Sequence, residues 1–298
     1  CRGIDRETTA WSLLARWLET KVRAIPGVEV RRGVEVVEVG DGWVRTAEDG
    51  RRLDADLVIG ADGARSTTRR WVSPEQPDAV YAGVLLWRAM VEEQALPPGA
   101  PTLPAHEPSR EYYSGPYRLV TYPVPGSDGS SRPGRRRLNL VWYDPARSDL
   151  LEKHGLLEGT TIHGSLLAEE VPESIREELR AMATQRWPTP WREAVGIALE
   201  RGLIFGTPVV HFLPRRMVRE QVALAGDAAH AASPMVGGGF RQGLYDVAAL
   251  STSFGDGRNL EVQDLLEAYE RERLSAARAH VEGSQVATQR YLERRRPR

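Results

Sequence analysis

Two aspartates, each beside glycine at the end of a short apolar run, are where this sequence could do chemistry. One lies in Asp56-Leu-Val-Ile-Gly-Ala-Asp62-Gly63-Ala-Arg65-Ser66-Thr-Thr-Arg69, the other in Val222-Ala-Leu-Ala-Gly226-Asp227. Each apolar run reads as a buried strand, and in a parallel sheet ligands bind beyond the carboxyl ends of the strands. An aspartate there can accept hydrogen bonds from the hydroxyls of a polar cofactor, and the neighbouring glycine lets backbone and ligand approach closely. Beyond Asp227 the chain passes His230 and Pro234 and reaches Gly237-Gly238-Gly239 at the start of a helical pattern. Three glycines there can direct N–H groups at a heteroaromatic oxygen, with the helix dipole adding a favourable field. Asp-Gly after a strand is often only a turn. The pair of segments, bracketing a region of different texture, is more specific than either alone.

On the substrate side, His211 precedes Phe212 and reads either as a base or hydrogen-bond partner facing a ring, or as a structural histidine. Arg88, on an aromatic-rich strand, reads as an anchor for a phenolate or carboxylate, or as a surface residue. Trp87, Tyr113 and Trp142 line a pocket or fill the core. His230 belongs to the motif loop, where packing is its expected role. No His/Asp/Glu cluster has metal-ligand spacing and no nucleophile elbow appears, so no metal is expected.

The elements that must position these residues alternate in type. A helix capped by Thr8 or Thr9 runs to about Ala24 with Leu13, Leu14, Trp17, Leu18 and Val22 as an apolar stripe, and Pro26-Gly27 ends it. Strands follow over Val28–Val39 and from Trp43 to Ala47, joined at Asp41-Gly42, then an apolar strand from Leu53 to Gly60 and a helix from Ala64 to Trp71. From Tyr81 strand-like segments over 83–91, 112–114, 118–124 and 137–143 are separated by loops rich in Pro, Gly and Ser, and Pro125–Gly134 joins two of them as a long hairpin. Helices near 172–185 and after Pro190 and a strand over Val209–Phe212 complete this region, before Val222–Ala225 and helices around 239–254 and 262–282. The expected fold is α/β (α+β mixed), with an inserted antiparallel-sheet substrate domain at 79–215 between cofactor-domain parts at 1–78 and 216–298.

With 298 residues the chain is long enough for two domains, and 41% hydrophobic and 27% charged residues are ordinary for a globular protein. A net charge of −1 points to neither nucleic acid nor an anionic membrane surface. The single cysteine, Cys1, excludes an internal disulfide framework and a cysteine-based zinc site. No apolar run approaches the roughly 18 residues of a membrane span and no signal peptide opens the chain, so a cytoplasmic protein is expected. The start at Cys1, directly before the helix-start pattern Ile4–Thr9, reads as the interior of a longer protein.

Taken together, Gly60-Ala-Asp62-Gly63-Ala-Arg65-Ser66 through Arg69 and Gly226-Asp227-Ala-Ala-His230 with Pro234 and the glycine loop resemble the flavin-dependent aromatic hydroxylases of the para-hydroxybenzoate hydroxylase type. The middle region, through Tyr81–Arg88, Tyr122–Gly129, Arg137–Tyr143 and Pro188–Trp191, is similar to the dihydroxypyridine hydroxylase branch. The resemblance covers almost the whole chain. It implies FAD, with Asp227 on the ribityl chain and Pro234 with Gly237, Gly238 and Gly239 beside the ring. Asp62, Gly63 and Arg65 would support the flavin and the passage of NAD(P)H. It further implies NAD(P)H reducing FAD, oxygen adding to give a flavin hydroperoxide, and hydroxyl transfer to an aromatic or heteroaromatic small molecule, in a possible homodimer.

Two departures stand out. The family's first strand, Gly-x-Gly-x-x-Gly turn and helix, which cradles the FAD pyrophosphate, has no counterpart, so the FAD/NAD(P)-binding Rossmann-like domain lacks its first βαβ segment and weak FAD affinity is expected. A family arginine in the first helix is replaced by Ala10 or Trp11. A flavoprotein oxidase or epoxidase on the same fold, and a non-catalytic small-molecule-binding remnant, are the alternatives.

Overall fold

The computed structural model describes residues 10–98, 100, 109–145, 147–256 and 260–293. Helix α1 (Trp11–Arg23) is followed by β1 (Val36–Gly40), β2 (Trp43–Thr46), β3 (Arg52–Asp54), β4 (Val58–Gly60) and α2 (Thr67–Val72). The middle of the chain forms β5 (Val80–Glu92), β6 (Arg110–Ser114), β7 (Tyr117–Val124), β8 (Arg137–Asp144), α3 (Ser148–Lys153), β9 (Leu157–Glu158) and β10 (Thr161–Ile162). Then come α4 (Glu173–Arg186), α5 (Trp191–Glu200), β11 (Phe205–His211), β12 (Val218–Arg219), β13 (Val222–Leu224), α6 (Asp227–His230), α7 (Gly239–Asp256) and α8 (Val262–Glu293). Among the described residues no helix is long and apolar enough to cross a membrane.

The chain divides into two compact units. One gathers residues 10–31, 84–149 and 165–207; the other gathers 32–83, 150–164 and 208–293. The first is built on antiparallel strands in the order β6-β7-β8-β5. Alternation along β5 turns Leu85, Trp87, Ala89 and Val91 into its core, with Leu138, Leu140 and Trp142 of β8 beside them. Trp142 meets Trp187 edge to face at 5.3 Å, and Trp191 at the start of α5 donates its Nε1–H to the Tyr112 hydroxyl at 3.0 Å.

The second unit contains the meander β1-β2-β3 and the sheet β12-β13-β4, in which β13 and β4 run parallel with Val222 opposite Val58 and Leu224 opposite Gly60. Val222, Ala223 and Leu224 are fully buried, in a core shared with Val72, Met217, Leu266, Tyr269 and Ala277.

Several expected boundaries move. The strand expected over 28–39 begins at Val36, where its register with β2 starts at Thr46. The strand expected over 53–60 is two strands in two sheets: β3 pairs with β2, and the chain leaves that meander before β4 joins β13. The helix expected from Ala64 begins at Thr67, since Ser66 accepts the Arg69 N–H and so acts as its cap. The cap expected at Thr8 or Thr9 lies outside the described residues, and the stripe of α1 is not buried: Trp17 is 57% exposed.

Candidate functional site

The parallel pairing of β4 and β13 sets both motif segments beyond the carboxyl ends of adjacent strands, within one unit. Two features of the local sequence force this arrangement. Gly60 ends β4 where a Cβ would run into the Thr68 side chain, so only glycine lets α2 pack so close. Gly226, two residues past β13, has φ 61° and ψ −142°, a conformation reserved for glycine, and turns the chain into α6.

The two aspartates then differ. Asp62 is consumed by its own loop: Ser66 Oγ–H donates to its Oδ1 at 2.5 Å, and the Thr68 N–H and hydroxyl donate to its Oδ2 at 3.0 and 3.1 Å. Asp227 has no hydrogen bond to its carboxylate among the described residues, and it is exposed. The surrounding protein raises the Asp227 carboxyl above its ordinary value by desolvation, while His230, Arg69 and His280 pull it back.

Arg69 ties the loops together. It is fully buried and donates from Nε to the Ala228 carbonyl, from Nη2 to the Asp227 carbonyl and from Nη1 to the Ala64 carbonyl, at 2.8, 2.8 and 2.7 Å. Its guanidinium also lies 4.2 Å from the centre of the Phe212 ring. Burial pulls its pKa down to about 10, opposed by Asp62, Asp78 and Asp227, so it stays a cation at neutral pH.

The loop beyond α6 is open. Pro234 and Gly237 are exposed, and Gly237 and Gly238 have φ of 64° and 90° before Gly239 opens α7. At Gly226, Gly237 and Gly63 a Cβ would meet nothing within 4 Å, so space lies beside the backbone at all three. Asp227 Oδ1 lies 3.8 Å from the Cβ position of Gly239, and His280 Cε1 lies 3.5 Å from that of Gly238. His230 Nδ1 and His280 Nε2 are buried without a hydrogen-bond partner. Burial, then His230 and Arg241, lower the His280 pKa. A free carboxylate, open glycines and orphaned imidazole nitrogens suit a polar ligand with a heteroaromatic ring.

Asp62, Gly63, Ala64 and Arg65 line a separate cavity of about 610 Å³ with Arg70 and His163, all in the same unit. Across its lining, Arg65 donates from Nη1 to the His163 carbonyl at 2.8 Å.

The substrate-side residues fall in different units. His211 is buried, its Nε2 lies 3.1 Å from the Ser284 hydroxyl, and Ser284 accepts the Ser233 N–H at 2.8 Å. His211 thereby braces the residue before Pro234, and burial lowers its pKa. Arg88 is exposed on the β5 face opposite Trp87, with the Phe205 ring centre 6.0 Å away, and it forms no ion pair among the described residues. Trp87 and Trp142 are core, and Tyr113 is exposed.

Sequence reasoning missed Asp246, Arg273 and Tyr269. Asp246 on α7 is fully buried and accepts the Gly226 N–H, His230 Nε2–H and Arg273 Nε–H; Tyr269 donates to the Leu224 carbonyl at 2.7 Å. The signal available was a lone acidic residue on the apolar side of a helix, with an arginine on the next helix. Among the described residues no group of three His, Cys, Asp or Glu could hold a metal.

Comparison with known proteins points to flavoproteins. Residues 81–200 match the family model described as FAD binding domain-like, and residues 176–284 match the FAD binding domain model. The chain is 30% identical over 281 residues to 3-amino-4-hydroxybenzoate 2-monooxygenase of Streptomyces cremeus, spanning 92% of this chain and 60% of that protein. It is 26% identical over 247 residues to 2,6-dihydroxypyridine 3-monooxygenase of Paenarthrobacter nicotinovorans, spanning 78% and 56%. The chain thus spans 56 to 60% of the length of these curated relatives. Among solved structures, Klebsiella pneumoniae HpxO complexed with FAD and uric acid shares the fold, with a TM-score of 0.64 at 24% identity over 96% of this chain and 67% of that one.

Proposed function

We propose that the chain, which matches FAD-binding domain models and is similar to FAD-dependent monooxygenases, carries the flavin-ring end of the FAD site of an enzyme that hydroxylates an aromatic or heteroaromatic small molecule. The observation that carries this reading is the free carboxylate of Asp227, in the loop beyond a strand that runs parallel to β4. Bound FAD supplies the redox chemistry, taking reducing equivalents from NAD(P)H to activate dioxygen.

The chain's own residues bind, orient and exclude water. Asp227 accepts hydrogen bonds from the ribityl hydroxyls. Gly226 and Gly237, with open space beside the backbone, and Pro234, Gly238 and Gly239 next to them would form the wall for a flat ring, with Arg241 and His280 at the Gly238 edge. Asp62 and Gly63 keep the adjoining loop in shape. Arg65 and Arg70 line the cavity where a pyridine nucleotide would pass, beside Glu35, Asp62 and Asp78, with Arg70 paired to Asp78 at 3.7 Å. Arg88 is the anchor for an anionic group of the substrate. His211 acts on the site through Ser284, by holding the turn into Pro234. The division into cofactor parts at 1–78 and 216–298 around a substrate domain at 79–215, a homodimeric assembly and a cytoplasmic location complete the proposal.

Asp227→Ala should weaken FAD binding at least about tenfold, the scale of a hydrogen bond to a charged group at roughly 1.5–3 kcal/mol. Fluorescence titration of the purified protein measures it, and an unchanged affinity overturns the assignment. With hydroxylated benzoates and pyridines as probes, stoichiometric hydroxylated product per NAD(P)H consumed supports a monooxygenase. Hydrogen peroxide without hydroxylated product supports an oxidase.

A further inference from the structure

We propose that Asp246 is a positioning residue that aims Asp227 at the flavin, an inference that rests on the assignment of Asp227 above. The Gly226–His230 turn presents Asp227 from a segment of four helical residues, too short to hold its own direction. Asp246 clips both ends of it. Its Oδ2 accepts the Gly226 N–H at 2.8 Å and His230 Nε2–H at 2.6 Å, and Asp227 lies between these two anchors. Its Oδ1 accepts Arg273 Nε–H at 2.8 Å, and Arg273 is held in turn by the Gln242 side-chain oxygen at 2.8 Å. Asp246 is 0% exposed and Arg273 is 6% exposed, so the geometry is enclosed.

Only a carboxylate satisfies all three donors. An asparagine offers one oxygen and sets an amide N–H₂ against either the Gly226 and His230 donors or the Arg273 donor. The arrangement also fixes the imidazole: Nε2 carries a proton for Asp246, which leaves the buried Nδ1 turned away from the clip. The turn is bound at its ends and its one outward carboxylate is left free, so the direction of Asp227 is imposed through the backbone.

Two readouts test this in the purified protein. Asp246→Ala, which removes both oxygens, should speed hydrogen exchange of the Gly226 amide at least about tenfold by NMR, since that amide loses its acceptor. In a double-mutant cycle read by flavin fluorescence, Asp246→Asn should weaken FAD binding about tenfold, and adding it to Asp227→Ala should cost no more than about twofold beyond Asp227→Ala alone. Independent, multiplying losses overturn the inference. So does a lowered Tm with Gly226 exchange and FAD affinity unchanged, which would mark Asp246 as merely structural. An Asp227→Ala variant with wild-type affinity sinks the flavin assignment instead, while Gly226 exchange still decides the clip. If either Asp246 variant does not accumulate folded, Asp246→Glu, which keeps the charge and displaces the oxygens, takes its place with the same expected directions.

Discussion

Asp62 and Asp227 show how one residue pattern divides into two roles. Both lie just past a strand and touch glycine, though only β13 is buried as its apolar run suggests and β4 leaves Ile59 exposed; Asp62 spends both oxygens on Ser66 and Thr68, and Asp227 spends none on protein. The difference lies in the residues downstream: Ser66 and Thr68 offer three donors to the first loop, and Ala228 and Ala229 offer no side-chain donor to the second. Arg69 joins the two loops through carbonyl oxygens, which no motif reveals. Arg69→Met should cost about 3 kcal/mol in urea unfolding, because several carbonyls lose their donor in a buried place. His211 provides a pH signature. Burial holds its folded-state pKa below the ordinary 6.5, so the unfolded chain takes up the proton first as pH falls. Stability should be full above about pH 6.5 and fall below it, toward the folded pKa. Urea midpoints across that window should flatten in His211→Asn, though not fully, since His280 is shifted the same way.

Elements explain which parts of the pattern mattered. The 3.6-residue period correctly marks α1 as a helix, and the strand-like segments become β5, β7 and β8, of which β7 alternates in burial and β8 is buried from Leu138 to Asp144. Burial of α1 does not follow from its period, because a stripe needs a partner and α1 has no buried residue. Trp17→Lys should therefore change stability by no more than about 0.5 kcal/mol, measured by thermal unfolding. The apolar run ending at Gly60 shows the opposite limit. Residues 53–60 look continuous, but β3 serves an antiparallel meander and β4 a parallel pair, and sheet membership depends on partners distant in sequence.

For the whole molecule, the returning αβ texture after residue 216 has a direct structural counterpart: β13 comes back to lie beside β4 across an interval that contains the antiparallel sheet. The hairpin loop between β7 and β8 carries exposed residues 127–129 and 131–135, and its flanking strands are paired from Arg118–Tyr143 to Val124–Arg137. Limited trypsin should cut at Arg135 first, and the fragments should stay together on native size exclusion because the strand pairing survives the nick. Separation under native conditions would contradict that pairing. By itself, the sequence determined the strand–Gly–Asp segments, the glycine loop and the hairpin, since these depend on residue type and short-range spacing. Tertiary structure alone decided that β4 and β13 are parallel neighbours, that Asp62 is bonded and Asp227 free, and that Asp246 and Arg273 stand behind the turn. Those facts depend on contacts between residues far apart in the chain, where hydrogen-bond donors are matched to acceptors only after the helices and strands have packed.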